Sequence, residues 1–243
     1  MATLKTRIIQ PSTGTNVNLG NAGTAILVNS DSIQTNVYKD SGGNTLFQSD
    51  GAGTLSNVNS ALTGAGPKLI LSQTASDSTS ISFTSGIDST YDHYMFVFVN
   101  MRPASNSQKF NWQVSSDGGS SYGMTTTSTF FRAYNYEGAP LTSGIAYDAS
   151  AAITQSTAYI PTLEQIGNGA DQSASGILHL YSPSSTTYMK NFASHVNAMH
   201  AIGIELDCWS SGYVNSTTAI NAIDFKMASG NIVDGTIKMY GVA

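Results

Sequence analysis

Glu205, Asp207 and Trp209 stand at alternate positions of the run Ile202–Trp209, "IGIELDCW". If that run is a strand, all three share one face, with same-face neighbours about 7 Å apart. Paired carboxylates at a fixed separation are what glycoside hydrolysis requires. An indole beside them is one way a protein holds a sugar ring. The same pattern also describes the solvent side of a strand whose other side is Ile202, Ile204, Leu206 and Cys208. The triplet is therefore a candidate sugar contact without a catalytic assignment. Tyr213 extends it, as do Tyr134 and Tyr136 in "FFRAYNYEG" at Phe130–Gly138, where alternate spacing leaves some rings exposed. Packing in a core or a subunit interface is the simpler account of these aromatics.

A second motif invites the same chemistry. Val114–Tyr122, "VSSDGGSSY", fits S-x-D-x-G-x-[ST]-[aromatic] and resembles the Asp-box of sialidases and other sugar-handling β proteins. In sialidases the box recurs once per propeller blade, away from the active site. Here it occurs once, with no repeat of about 45 residues such as a propeller needs. It predicts a structural hairpin turn between a strand ending at Val114 and one restarting near Met124. Asp117 accepts backbone N–H bonds, Gly118 and Gly119 allow positive φ, and Tyr122 packs at the base.

Other chemistry is thin. His93, His179, His195 and His200 form no H-x-H or H-E-x-x-H spacing, and no metal is expected. His195 and His200, five apart on a strand, fall on opposite faces. The single Cys208 excludes an intramolecular disulfide framework and a cysteine zinc cluster, and reads as a small buried hydrophobe. Neither a G-x-S-x-G elbow nor a P-loop is present, and no cofactor is implied. "KDSGGN" at Lys39–Asn44 and "SDGAG" at Ser49–Gly53 lack the ligand spacing of a calcium hand and read as turns.

These residues must be positioned by a chain of 243 residues, 40% hydrophobic but only 10% charged, against about 25% charged in ordinary soluble domains. Ser, Thr, Asn and Gly supply the polarity, and they favour turns and strands over helix. The net charge of −5, with ten scattered Lys and Arg, argues against nucleic acid as a partner. The start "MATLKTRIIQPSTG" has no apolar leader region, so the chain is expected to be made in a cytoplasm and to stay soluble. The longest apolar run, Tyr94–Val99, is far short of a membrane span, so no membrane insertion is expected.

Two textures divide the chain. In residues 1–66 the large apolar residues come in short bursts: Ile8-Ile9, Val17 and Leu19, Ile26–Val28, Ile33, Val37, Leu46-Phe47 and Leu55. Turn signals separate them. Such a segment cannot build its own core: it is either disordered or completed by other chains, and the even spacing and β-branched content favour the second, since a homotrimer would bury the bursts and cover strand edges. "TGAGP" at Thr63–Pro67 reads as a linker. Residues 67–243 alternate with period two in longer runs, predicting an all-β sandwich, jelly-roll-like, of eight or nine strands. Ile81 and Phe83 open it, and Tyr94–Met101 reads as a strand buried on both faces. In Lys109–Val114, Phe110, Trp112 and Val114 point one way. Further strands are read at Phe130-Phe131, Ile177–Tyr181, Tyr188–Ala198, Ile202–Trp209, Ile223–Met227 and Ile237–Tyr240. "TLEQIGN" at Thr162–Asn168 reads as one short turn of helix.

Ala219–Val242, "AINAIDFKMASGNIVDGTIKMYGV", resembles the closing hairpin of tailed-phage virion proteins. Ile81–Tyr122 and the strand "SASGILHLYSPSS" at Ser173–Ser185 are similar to the same family in order of elements. The N-terminal "VNLGNAG" and "KDSGGNTLFQSDGAGTLSNVN" stretches resemble the short attachment or shaft segments before such domains. The resemblance implies a homotrimeric structural protein on the virion surface, attached through residues 1–66 to a capsid or tail protein. It would be a capsid decoration or head fibre, or a short tail fibre meeting the host; recognition of a host glycan by the projecting domain is a separate expectation, resting on Trp209, Tyr213, Tyr134 and Tyr136. It transfers no catalytic residue.

Overall fold

A computed structural model describes residues 37–40, 42–50, 52–56, 58–59, 66–138 and 142–242. The bursts from Ile8 to Ile33 and the linker residues 63–65 lie outside the described residues. The chain divides into two units, Met1–Thr63 and Gly64–Ala243, and each is taken by itself. The described residues are all β, with strands and turns and no helix.

In the first unit β1 (Val37–Lys39), β2 (Thr45–Ser49) and β3 (Leu55–Ser56) form an antiparallel meander. Its turns are the two aspartate stretches. Asp40 Oδ1 accepts the N–H groups of Gly42 and Asn44 at 2.9 and 2.8 Å, and Asp50 Oδ1 those of Ala52 and Thr54 at 2.7 and 3.1 Å. Both carboxylates are spent on the turn backbone, as the turn reading expected.

The second unit is a β-sandwich built from β4 (Lys68–Thr74), β5 (Ile81–Phe83), β6 (His93–Pro103), β7 (Gln108–Ser115), β8 (Thr126–Tyr136), β9 (Ser143–Tyr147), β10 (Ile153–Ser156), β11 (Ile160–Ile166), β12 (Ala174–Tyr181), β13 (Lys190–His200), β14 (Ile204–Val214), β15 (Ala222–Met227) and β16 (Ile232–Val242). The large sheet runs β4-β16-β6-β12-β13-β14-β8, with β9 and β10 in tandem on the far edge of β8. The small sheet runs β5-β15-β7-β11. A single bridge, Ile166 to His200, joins the two at one corner. Each small-sheet strand is followed in the chain by a large-sheet strand, so the chain repeatedly crosses the core.

Alternation explains the packing. Tyr94, Phe96 and Phe98 of β6 and Phe192 of β13 point inward from the large sheet, and Phe83, Phe110, Trp112 and Phe225 from the small one. Phe225 touches Phe83, Phe96, Phe98 and Phe110 with ring centroids 5.3–6.2 Å apart. Trp112 meets Phe192 edge-on at 4.8 Å. Phe96, Phe98 and Phe192 of the large sheet thus meet Phe225 and Trp112 of the small one, and this cluster is the centre of the core.

Several expectations are corrected. β6 is buried on one face only: Met95 and Val97 are half-buried and Val99 exposed, because no second layer covers the outer side of the large sheet among the described residues of this unit. β7 is the strand buried on both faces. Gln113 is fully buried opposite the apolar row, its amide donating to the carbonyls of Met124, Thr157 and Ala158 at 3.0–3.2 Å. "TLEQIGN" is no helix; it ends β11, where pairing with β7 overrides helix-forming residues and a bulge puts Gln165 at φ 59°. Ile202 is exposed in the turn before β14. The Ala219–Val242 stretch is not a hairpin. β15 pairs with β5 and β7 while β16 pairs with β4 and β6, so the turn between them carries the chain from one sheet to the other. Both strands thereby turn apolar faces to one core from opposite sides.

Candidate functional site

On β14 the residues Glu205, Asp207, Trp209, Ser211 and Tyr213 alternate outward, away from Ile204, Leu206 and Cys208. The structure thus brings Glu205, Asp207, Trp209 and Tyr213 onto the outer face of the large sheet. Register places His195 beside Trp209 on one side and Phe131 on the other, with Tyr147 beyond Phe131. The rings stand as a ladder: His195 stacks on Trp209 at 3.8 Å, and Phe131 lies parallel to the indole at 6.2 Å. One face of the indole is therefore taken, and Trp209 presents mainly a ring edge to solvent. Its Nε1–H donates to Asp207 Oδ2 at 3.3 Å, Asp207 Oδ1 shares a hydrogen bond with His195 Nε2, and Asn197 donates to Glu205. Burial first, then the charge of Asp207, pushes the Glu205 carboxyl upward. The outward carboxylates and the indole are largely satisfied by one another, on an open sheet face.

Tyr134 and Tyr136 point the other way. Register pairs them with Leu206 and Ile204 on the inner face, so the six candidate glycan residues fall on two faces and make no single site. β11 is the last strand of the small sheet, and past it the inward-facing Arg132, Tyr134 and Tyr136 of β8 and Ala146 of β9 are only part-buried, while Leu206 and Cys208 of β14 stay in the core. That overhang leaves a groove of about 300 Å³ lined by Arg132, Tyr134, Tyr136, Thr142, Ala146, Gln165, Ile204 and Leu206.

The groove floor continues into a charged cluster invisible in the sequence, since its members come from separate strands. Glu164, 3% exposed, receives Lys109 Nζ at 2.6 Å and Arg132 NH1 at 2.8 Å. Arg132 NH1 also reaches Gln165 Oε1 at 3.3 Å and Asp148 Oδ2 at 3.7 Å. Burial raises the Glu164 carboxyl, Lys109 opposing it. Asp148, in the turn after β9, is held at about 2 by the hydrogen bond it shares with Glu164, with Ser150 and Arg132 adding to it. Arg132 Nε is buried and carries a hydrogen that no group among the described residues accepts; such an orphan costs about 1–3 kcal/mol.

The Asp117 turn is a turn but not a hairpin, because β7 pairs with β11 and β15 and never with β8. It carries the chain from the small sheet to the large one. Asp117 accepts the Ser121 N–H at 2.9 Å and the hydroxyls of Ser121 and Ser115 at 2.6 and 2.5 Å, which together hold its carboxyl at about 2. Gly118 and Gly119 sit at φ 73° and 88°, and a Cβ on Gly119 would strike the Tyr122 hydroxyl at 2.7 Å. Asn221 ties the turn to the chain before β15, accepting the Gly118 N–H at 2.9 Å. Asp117→Ala is expected to lower the melting temperature while leaving the far-ultraviolet circular dichroism unchanged. An unchanged melting temperature would show that Asn221 alone suffices.

His93 Nε2 and His179 Nδ1 share a hydrogen bond of 2.8 Å on the outer face, stacked against Tyr181. His195 is exposed on that face and His200 buried on the other. Among the described residues no group of three or more metal-ligating side chains gathers. Cys208 is fully buried, and burial pushes its thiol up to about 12. No family model matches the chain, and comparison with curated proteins and with solved structures finds no similar one.

Proposed function

We propose that the chain is a structural protein of a tailed-phage particle, a homotrimer attached to a capsid or tail protein through residues 1–66, with the sandwich of 67–243 facing outward. The observation that supports an assembled state is the ring ladder on the outer sheet face. Tyr147, Phe131 and Trp209 are 61%, 42% and 41% exposed in adjoining strands, with Ile145 at 80% beside them. A contiguous apolar row of this kind marks a surface that a neighbour covers, and a second and third copy of the chain are that neighbour. Three attachments acting together would hold the particle far more firmly than one.

Light scattering on the purified full-length protein should give three times the chain mass of 25.5 kDa, and a clean monomer would sink the proposal. Deleting residues 1–66 should leave a folded β protein that no longer joins particles, whereas incorporation of the truncated chain would remove the attachment role. A second reading, recognition of a host glycan by the sandwich, is favoured by the groove beside Tyr134 and Tyr136.

A further inference from the structure

We propose that the groove between β8, β9, β11 and β14 is a binding site for a neutral saccharide of one or two rings. The inference rests on the recognition reading only for its biological purpose; the site itself is argued from its walls.

Those walls combine two chemistries. Tyr134 and Tyr136 pack edge to face at 6.3 Å and, with Ile204 and Leu206, supply apolar and aromatic surface. Arg132 and Gln165 supply hydrogen-bonding groups at the floor. A sugar ring has matching chemistry, with C–H faces that pack on aromatic rings and a rim of hydroxyls that both donate and accept. The volume of about 300 Å³ sits at the small end of ligand sites, which suits one or two rings and no longer chain.

Two further features belong to the floor of this groove. The buried Arg132 Nε finds no acceptor among the described residues. Gln165 is held at φ 59°, a left-handed conformation uncommon for a residue with a side chain, at the bulge where β11 meets the groove. Strain of that kind collects at binding sites, and here it sets a side chain at the groove floor that already accepts from Arg132. Charge decides the class of sugar. Arg132 and Lys109 face Glu164 and Asp148, two cations against two carboxylates, so the cluster has no formal excess of positive charge to attract an acidic sugar.

The test is saturation-transfer NMR on the full-length protein with glucose, galactose, N-acetylglucosamine and N-acetylgalactosamine at millimolar concentration. At least one should receive saturation. Tyr136→Leu, which keeps apolar packing but removes ring and hydroxyl, should weaken that binding by about tenfold or more, with circular dichroism confirming the fold. Tyr188→Ala, outside the groove, should bind as the parent does. Transfer to none of the four sugars, or undiminished binding by a folded Tyr136→Leu, overturns the site. A sugar that binds here yet fails to compete with particle adsorption supports the site and removes host recognition as its purpose.

Discussion

Replacing Glu164 by leucine is expected to destabilise the sandwich by about 3–5 kcal/mol, the range for breaking a buried ion pair from one side. Glu164 is the hub: Lys109 and Arg132 both bond it, and it shares a hydrogen bond with Asp148. Its removal leaves the Arg132 guanidinium, whose Nε is already unpaired, without its shortest contact. Lys109, about a third exposed, can swing to water, which places the expectation toward the lower end. Urea unfolding measures it. Arg132→Met combined with Glu164→Leu should cost less than the two single losses added, because neither of the two bonded groups is left facing the site of the other, and Asp148 keeps Ser150. Additive losses would mean that the residues act independently.

Acid should loosen the same cluster. Asp148 is depressed to about 2 from an ordinary 3.8, so its stabilising contribution is whole above pH 3.8 and is lost as pH falls towards 2. Glu164, raised by burial, gains relative stability on protonation and opposes that loss.

Phe225→Ala should cost a similar amount, about 3–5 kcal/mol, through cavity formation in a packed core. The ring is fully buried and meets rings from both sheets, so neither sheet can close the gap without moving the other. Phe225→Leu, keeping part of the volume, should cost less. Phe131→Ala offers the contrast: the ring is partly exposed on the outer face, and in a monomer its loss should stay within about 1 kcal/mol. Equal losses at Phe225 and Phe131 would contradict this account of where the core lies.

Period-two alternation made most of the fold legible. Phe110, Trp112 and Val114, and the inner row of β14, are buried as their spacing implies. Pairing partners were not legible, because alternation says which face is apolar and nothing about which strand lies alongside. The Asp117 motif therefore predicts a hairpin, and the Ala219–Val242 stretch resembles one, where in each the chain crosses the core. β11 was hidden by helix-forming residues, Leu163 to Gln165, whose conformation is set by β7. The candidate glycan residues were found as types, but only the strand phase separates Trp209, facing outward, from Tyr134 and Tyr136, facing in. Arg132, Lys109, Asp148 and Glu164 carried no local signal at all, since their meeting depends on the crossing of the two sheets.

Among the described residues the edge strand β4 pairs with β16 alone, Thr74 opposite Thr236 and Lys68 opposite Gly241. During synthesis the first strand of the sandwich must therefore wait for the last. Residues 68–74 spend most of translation as an unpaired, partly apolar segment, and the loop they close is nearly as long as the unit itself. Nonlocal pairing of this kind slows folding and exposes unpaired edges to other chains while it lasts. Once folded, the two ends of the sandwich lie side by side. A permuted gene that joins them and opens the chain at an exposed turn elsewhere would bring β4 and β16 together early.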